Sequence, residues 1–288
     1  MTALKAPPKQ NSWDLVISSR QGWLDIDVAE VWRYRDLVFL LFQRDFVAFY
    51  KQTILGPIWY VIQPMLTTLA FFLIFYRIAR ISTDGIPPFL FYMAGVIVWN
   101  YFATCMNKTS DTFVSNAAIF GKVYFPRLVV PISVVLSNLL TFLIQFLLFA
   151  AFMFYFWLRG ARFDVGLDVV LIPFLLAYVA ILGLGVGIIV SSLTTRYRDL
   201  SYVVGFATQL WMYATPVVYP LSQVPAHWQW LYAFNPMAAV IETFRHLLLG
   251  TGTVTTALWS GSIALTAALG FLGLLLFSRT ERTSMDTV

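Results

Sequence analysis

Six stretches of this chain run without a charged side chain for about the twenty residues that a helix needs to cross a bilayer's hydrocarbon core. They are Ile58–Tyr76, Phe89–Asn107, Leu128–Leu158, Val169–Thr195, Leu200 to about Val218, and Leu247–Ser278. No water reaches that depth, so each segment must satisfy its own backbone N–H and C=O groups, and helices do so internally. The expected fold class is therefore an all-α integral membrane protein with six transmembrane helices. The composition fits: 59% of the 288 residues are hydrophobic and 11% charged, against about 45–50% and about 25% in soluble domains. Leu128–Leu158 is longer than one crossing requires and is expected to tilt or to project from the bilayer.

The net charge of +5 does not imply nucleic acid, because the cations gather between the apolar windows. With the N-terminus inside, the inner segments hold Lys5, Lys9, Arg20, Arg33, Arg35, Arg44, Lys51, Lys108, Lys122, Arg127, Arg196, Arg198, Arg279 and Arg282. The outer segments hold Arg77, Arg80, Arg159, Arg162 and Arg245. That bias follows the positive-inside rule and predicts both termini in the cytoplasm. The first 36 residues are polar and lack the apolar run of a secretory signal. Residues 1–30 and 279–288 are expected to be cytoplasmic tails around a membrane domain spanning 31–278. Cys105 is the single cysteine, which rules out an intrachain disulfide and a cysteine metal cluster.

Ahead of the first window, Arg33, Asp36, Gln43, Arg44 and Lys51 fall on one face of a 3.6-residue helix. Leu37, Leu41, Phe42, Phe46 and Phe49 cover most of the rest, with Arg35 and Asp45 as exceptions. This is the pattern of a helix lying in the membrane interface, serving either as an anchor or as a docking surface for a cytoplasmic partner. It joins the first window through Gly56-Pro57, and Pro64 removes a backbone hydrogen bond where that span could bend.

Several chemistries are missing. There is no G-x-x-x-x-G-K-[ST] phosphate loop and no H-E-x-x-H zinc motif, and the histidines are His227 and His246. A membrane-embedded transferase needs positioned acids or a nucleophile–base pair, and the windows carry none. No ionisable residue inside them suggests an ion relay. No catalytic, cofactor-binding or metal-binding residues are therefore expected, and uphill transport would draw its energy from another chain. Gly183, Gly185 and Gly187 lie mid-window, where they suit close helix packing. Ser133, Ser137, Thr141 and Gln145 recur every four residues, beside Asn138; such a stripe lines either a helix interface or a polar pathway.

Two connecting segments have the makings of working parts. Ser110–Pro131 is expected to hold a short helix over "FVSNAAIF" with an Asp or Ser cap, ended by Gly121. Residues 219–250 are too rich in proline and polar groups for a span, yet too aromatic for a solvated loop. Short re-entrant helices between spans five and six fit best, with Asn235 as an N-cap and Pro236 at the first helical position. Glu242, Arg245 and His246 share spacings that place them near one another on that helix. Aromatic residues make up 17% of the chain, suited both to an interfacial belt and to stacking against sugar rings.

Five blocks, in order, resemble the ABC type-2 export permeases, especially those that export lipid-linked polysaccharides such as O-antigen, capsule or teichoic acid. They are Arg44–Pro64 ("RDFVAFYKQTILGPIWYVIQP"), Phe120–Ser133, Thr195–Val204, Trp211–Pro220 and Phe234–Gly250. The resemblance runs from about Arg33 to Phe277; the polar N-terminus departs from it. It implies a homodimer of permeases in a bacterial inner membrane, paired with two copies of a separate ATPase that binds the ATP and Mg. It also implies ATPase coupling through Arg44, Lys51, Phe113, Ile119, Phe120 and Lys122, and an outer gate containing Pro220, Asn235, Pro236, Glu242 and Arg245. The cargo would be a lipid-linked glycan, O-antigen first; a related permease for a small amphiphile or drug is the alternative.

Overall fold

The computed structural model describes residues 28–52, 56–116, 125–194 and 199–283. Among these residues five helices are long and apolar enough to cross a membrane: Trp59–Ile78, Pro88–Ser110, Val129–Leu158, Leu167–Thr194 and Thr256–Leu276. Ahead of them, α1 (Val28–Arg33) and α2 (Arg35–Gln52) form a nearly continuous lead-in broken at Tyr34. The first span is α3 (Trp59–Phe71), which runs through the buried Pro64 without interruption and passes into a π-helical stretch at Phe72–Ile78. The departure from regular helix thus begins about two turns beyond the proline, not at it. The predicted joint is present: Gly56 has φ 50°, a left-handed conformation that glycine adopts without steric cost.

The second span, α4 (Pro88–Ser110), is the centre of the bundle. Every residue from Leu90 to Trp99 is buried, as expected of a helix that is apolar on all sides. Around it pack the span α6 (Val129–Leu158) and the span α7 (Ile172–Thr194); the one-turn α5 (Thr112–Ser115) follows α4. At 30 residues, α6 is about 45 Å long, which exceeds the roughly 30 Å core as anticipated. The last span belongs to α11 (Thr256–Thr283), packed mainly against α7. Tyr178 of α7 ties the two together, its hydroxyl lying 2.6 Å from both Ser262 Oγ and Thr266 Oγ1 of α11.

The glycines of α7 explain how tightly it sits. A Cβ on Gly183 would lie 3.1 Å from Cys105 Cβ, and one on Gly187 would lie 2.6 Å from Thr109 Cβ, both on α4. Gly185 faces the other way, where a Cβ would meet Gly270 Cα of α11 at 3.2 Å. The packing reading of this glycine run is therefore correct: α7 approaches α4 with two of them and α11 with the third.

Two window boundaries move. The fifth window yields α8 (Leu200–Ala214), which stops four residues short of Val218. Pro216 causes this: the residue before a proline is pushed out of the helical region, and Thr215 is extended at φ −102°, ψ 146°. With 15 residues, α8 rises only about 22 Å. The sixth window does not begin at Leu247. Leu247–Leu249 end the helix α10 (Pro236–Leu249), and Gly250 (φ 72°) and Gly252 (φ 137°) turn the chain before α11 starts at Thr256. Between α8 and α10 lie two 3-10 turns, Leu221–Gln223 and Trp230–Phe234, and the one-turn α9 (Ala226–Gln229). Short helices between the last two apolar elements are thus present.

Candidate functional site

The bundle has two ends with different equipment. One carries α1, α2, α5 and the starts of α6 and α8; the other carries residues 79–87, 159–171 and 215–255. The second end is held by an ion pair with almost no access to solvent. Glu242 and Arg245 of α10 are each 1% exposed, with Arg245 Nη1 at 3.4 Å from Glu242 Oε1. A buried charge is tolerated when it is paired and most of its remaining hydrogen bonds are met; both residues meet most of theirs by holding irregular backbone, with Arg245 Nε left without a partner.

Arg245 Nη1 donates to the Pro216 carbonyl and Nη2 to the Val217 carbonyl, each at 2.6 Å. Its guanidinium carbon lies 3.6 Å from the centroid of the Phe91 ring on α4, a cation–π contact that offsets lost hydration. Glu242 Oε2 accepts from the Thr253 N–H at 2.8 Å, and Oε1 accepts more weakly from Leu221 N–H at 3.4 Å. One charged pair therefore satisfies the backbone after α8, the turn at Leu221 and the loop after α10. Gly95 makes this possible: a Cβ there would lie 3.0 Å from Arg245 Nη2 and from the Val217 carbonyl oxygen. Nothing in the spacing of the sequence marks Gly95 for that role.

The predicted gate residues come together here, with two refinements. Asn235 occupies the N-cap position and Pro236 follows in the first turn, yet the Asn235 side chain does not cap its helix. Its Oδ1 accepts from Trp211 Nε1 at 3.1 Å, and its Nδ2 donates to Thr215 Oγ1 at 2.9 Å. Bridging to the end of α8 supplies partners that the helix terminus would otherwise have taken. His246 is exposed whereas Glu242 and Arg245 are buried, so the three do not act as one face. Pro220 is buried at the head of the Leu221–Gln223 turn. Beside it, the Tyr219 and Tyr232 hydroxyls lie 2.8 Å apart. Burial, and then this bond to Tyr232, pushes the Tyr219 phenol above its ordinary range.

At the opposite end, α2 is fastened to the start of α6. Val38 and Leu41 bury against Phe125, Val129 and Val130, while Trp32, Phe39 and Leu40 remain exposed on other faces. Arg44 is exposed and pairs with its neighbour Asp45 at 2.8 Å. Lys51 lies within α2, but its side chain is outside the described residues. Of the expected helix over "FVSNAAIF", the described residues hold the one-turn α5, which contains Phe113; residues 117–124, with Ile119, Phe120, Gly121 and Lys122, lie outside the described residues. Asp111 holds the N-cap position without a side-chain cap bond, its carbonyl instead accepting from Ser115 Oγ at 2.7 Å. Thr194 Oγ1 at the end of α7 donates to the Ser110 carbonyl at 3.1 Å, joining α7 to the base of α5.

The polar stripe on α6 faces the chain's own helices. Ser133 and Gln145 are buried, and Ser137 and Thr141 are half-buried. Ser133 and Ser137 donate to carbonyls of their own helix, those of Val130 and Ser133, while Thr141 hydrogen-bonds Tyr60 of α3. Asn138 accepts from Lys108 Nζ of α4 at 3.2 Å. Asn138 and Thr141 thus join α6 to α4 and α3, while the Ser133 and Ser137 hydroxyls bond their own helix.

Comparison with known proteins accounts for this arrangement. The pattern of the ABC-2 type transporter family matches residues 36–249, from α2 to the end of α10. The chain is 30% identical over 222 residues to the O-antigen export system permease protein RfbA of Klebsiella pneumoniae, covering 74% of this chain and 80% of that protein. It is 29% identical over 220 residues to the protein of the same name from Myxococcus xanthus, covering 76% and 82%. The polysialic acid transport protein KpsM of Escherichia coli matches at 25% over 252 residues, covering 86% and 94%. A family pattern spanning α2, four of the five long apolar helices and the short helices of the segment up to α10 settles the assignment: this chain belongs to the ABC-2 type transporter family.

Proposed function

We propose that the chain is the permease subunit of an ATP-driven exporter that moves a lipid-linked polysaccharide, O-antigen first, outward across the bacterial inner membrane. The observation that carries this reading is the match to O-antigen export permeases over four-fifths of their length. ATP and Mg are held by a separate ATPase chain, which docks on α1, α2 and the α5 segment at the cytoplasmic end. Residues 215–255 then lie at the outer end, where the segment clamped by Glu242 and Arg245 is the gate. Both termini lie in the cytoplasm. The working unit contains two permeases and two ATPases. The exposed face of α8 supports self-association: Tyr202, Val203, Phe206 and Leu210 are all more than half exposed on a helix with few contacts to its own bundle.

Affinity purification of the tagged chain from its native membrane is expected to recover a P-loop ATPase in a 2:2 assembly. Deleting the chain is expected to leave lipid-linked glycan trapped inside. Surface glycan that is unchanged in the deletion strain would overturn the reading. The match to the polysialic acid transporter over most of its length favours an acidic capsule glycan as the second reading, and analysis of the trapped glycan separates the two. Within this scheme, Phe113→Asp, Ile119→Asp and Phe120→Asp are expected to lower export about tenfold or more, on the order of one lost hot spot. ATP hydrolysis should persist and detergent-solubilised size should stay the same. Export at the wild-type rate would remove the coupling assignment.

A further inference from the structure

The loop between the first two spans is built around two residues in an unusual conformation. After the π-helical stretch, Arg80 has φ 55° and Asp84 has φ 52°, a region that non-glycine residues enter rarely. Such conformations persist where surrounding contacts over-determine them, and they concentrate at working sites. At Asp84 the contact is visible: both carboxylate oxygens accept from Ser222 Oγ, at 3.0 and 2.9 Å. Ser222 sits in the Leu221–Gln223 turn, whose first N–H is directed to Glu242. The outer end of the first span is thus linked through Ser222 and Leu221 to the buried pair of α10.

We propose that Asp84 is a positioning residue of the outer gate, its bond to Ser222 latching the first span to the re-entrant segment. The inference rests on the gate reading of residues 215–255. Three observations single out this contact from ordinary loop packing. It is exposed on both sides, so water competes for it and it adds little to folding; its effect is on where the turn sits. Its chain neighbours face open grooves, Thr83 and Gly85 one of about 510 Å³ and Gln223 one of about 470 Å³. Tyr76, Ser82 and Arg162 line the first, and Ile81, Tyr219 and Trp228 line the second. The loop therefore has space on either side to move once released. Finally, the left-handed Gly56 stands ahead of the same span, four residues after α2 ends at Gln52. The first span is consequently gripped at its inner end by the docking helix and at its outer end by the gate. Displacement of α2 by the ATPase reaches Ser222 through the first span and the short loop that carries Asp84.

The test uses the intact permease–ATPase complex in liposomes, with leak of a trapped fluorescent anion read in the absence of glycan. Ser222→Asp places a second carboxylate against Asp84, and Asp84→Lys with Ser222→Asp restores attraction. Leak is expected to rise about fivefold in Ser222→Asp, the scale of one modest interaction in a closed–open equilibrium, with the thermal midpoint unchanged. The charge-swapped double variant is expected to return to the wild-type leak. Tyr219→Ala, which removes the hydrogen bond to Tyr232 and keeps both Asp84 and Ser222, serves as the control. Leak from Tyr219→Ala without leak from Ser222→Asp would overturn the latch alone. Silence of both variants would overturn the gate reading and the latch with it. A folded double variant that leaks as much as Ser222→Asp would show that charge at this contact does not set the gate.

Discussion

Arg245→Met is expected to lower the stability of the folded chain by about 3–5 kcal/mol, the cost typical of removing one partner of a buried ion pair. The substitution strands Glu242 in a site that is 1% exposed and frees the Pro216 and Val217 carbonyls that Arg245 holds. No other part of α10 can reach them, because its remaining inward residues, among them Val240, Ile241 and Phe244, are apolar. The midpoint of unfolding in mixed detergent micelles measures the effect. Glu242→Gln is expected to cost less, about 1–3 kcal/mol, because its amide still accepts from Thr253 or Leu221. The Glu242→Gln, Arg245→Met double variant should be less damaged than the sum of the singles, since the two residues interact directly. A wild-type midpoint for Arg245→Met would mean that the backbone after α8 is held by something other than this pair.

The second large effect is expected at the contact of α4 and α7. A Cβ on Gly187 would stand 2.6 Å from Thr109 Cβ and 2.8 Å from the Met106 carbonyl oxygen, and a backbone oxygen cannot move aside as a side-chain tip can. Gly187→Ala is therefore expected to destabilise by about 1–3 kcal/mol through overpacking, and Gly187→Leu to abolish accumulation of folded protein. Gly270→Ala on α11 is the matched control, since nothing lies within 4 Å of its Cβ position. Helix propensity there favours alanine by about 1 kcal/mol. Equal midpoints for Gly187→Ala and Gly270→Ala would show that α7 is free to shift away from α4.

Much of this architecture is legible in the residues because hydrocarbon imposes a simple code. A charge-free run of about twenty residues must become a helix, and four of the six windows correspond closely to the spans found. The two misplaced boundaries share a cause. At Pro216 and at Gly250 and Gly252 apolar character continues while the backbone can no longer be helical, so a reading based on hydropathy runs past the turn. The amphipathic lead-in and its Gly56 joint were legible from periodicity and from the glycine itself. In the segment of short helices after α8, the grouping of Asn235, Pro236, Glu242 and Arg245 was legible, but their partners were not. Asn235 looks like a cap yet bonds Trp211 and Thr215, because an element 20 or more residues away delivers better acceptors and donors than its own helix.

The amino-acid sequence by itself determined the all-helical membrane architecture, the order of its spans, the family and the lack of a phosphate loop in the chain. Each of these is written in local properties: hydrophobicity over a helix length, glycine and proline placement, and short contiguous blocks. The tertiary structure decided which polar groups meet at depth. Arg245 finds Pro216 and Val217 only because Gly95 of α4 leaves room, and Asp84 finds Ser222 across 138 residues. Hydrogen bonds and ion pairs are satisfied at distances of about 3 Å, and no local pattern specifies which distant backbone will arrive there.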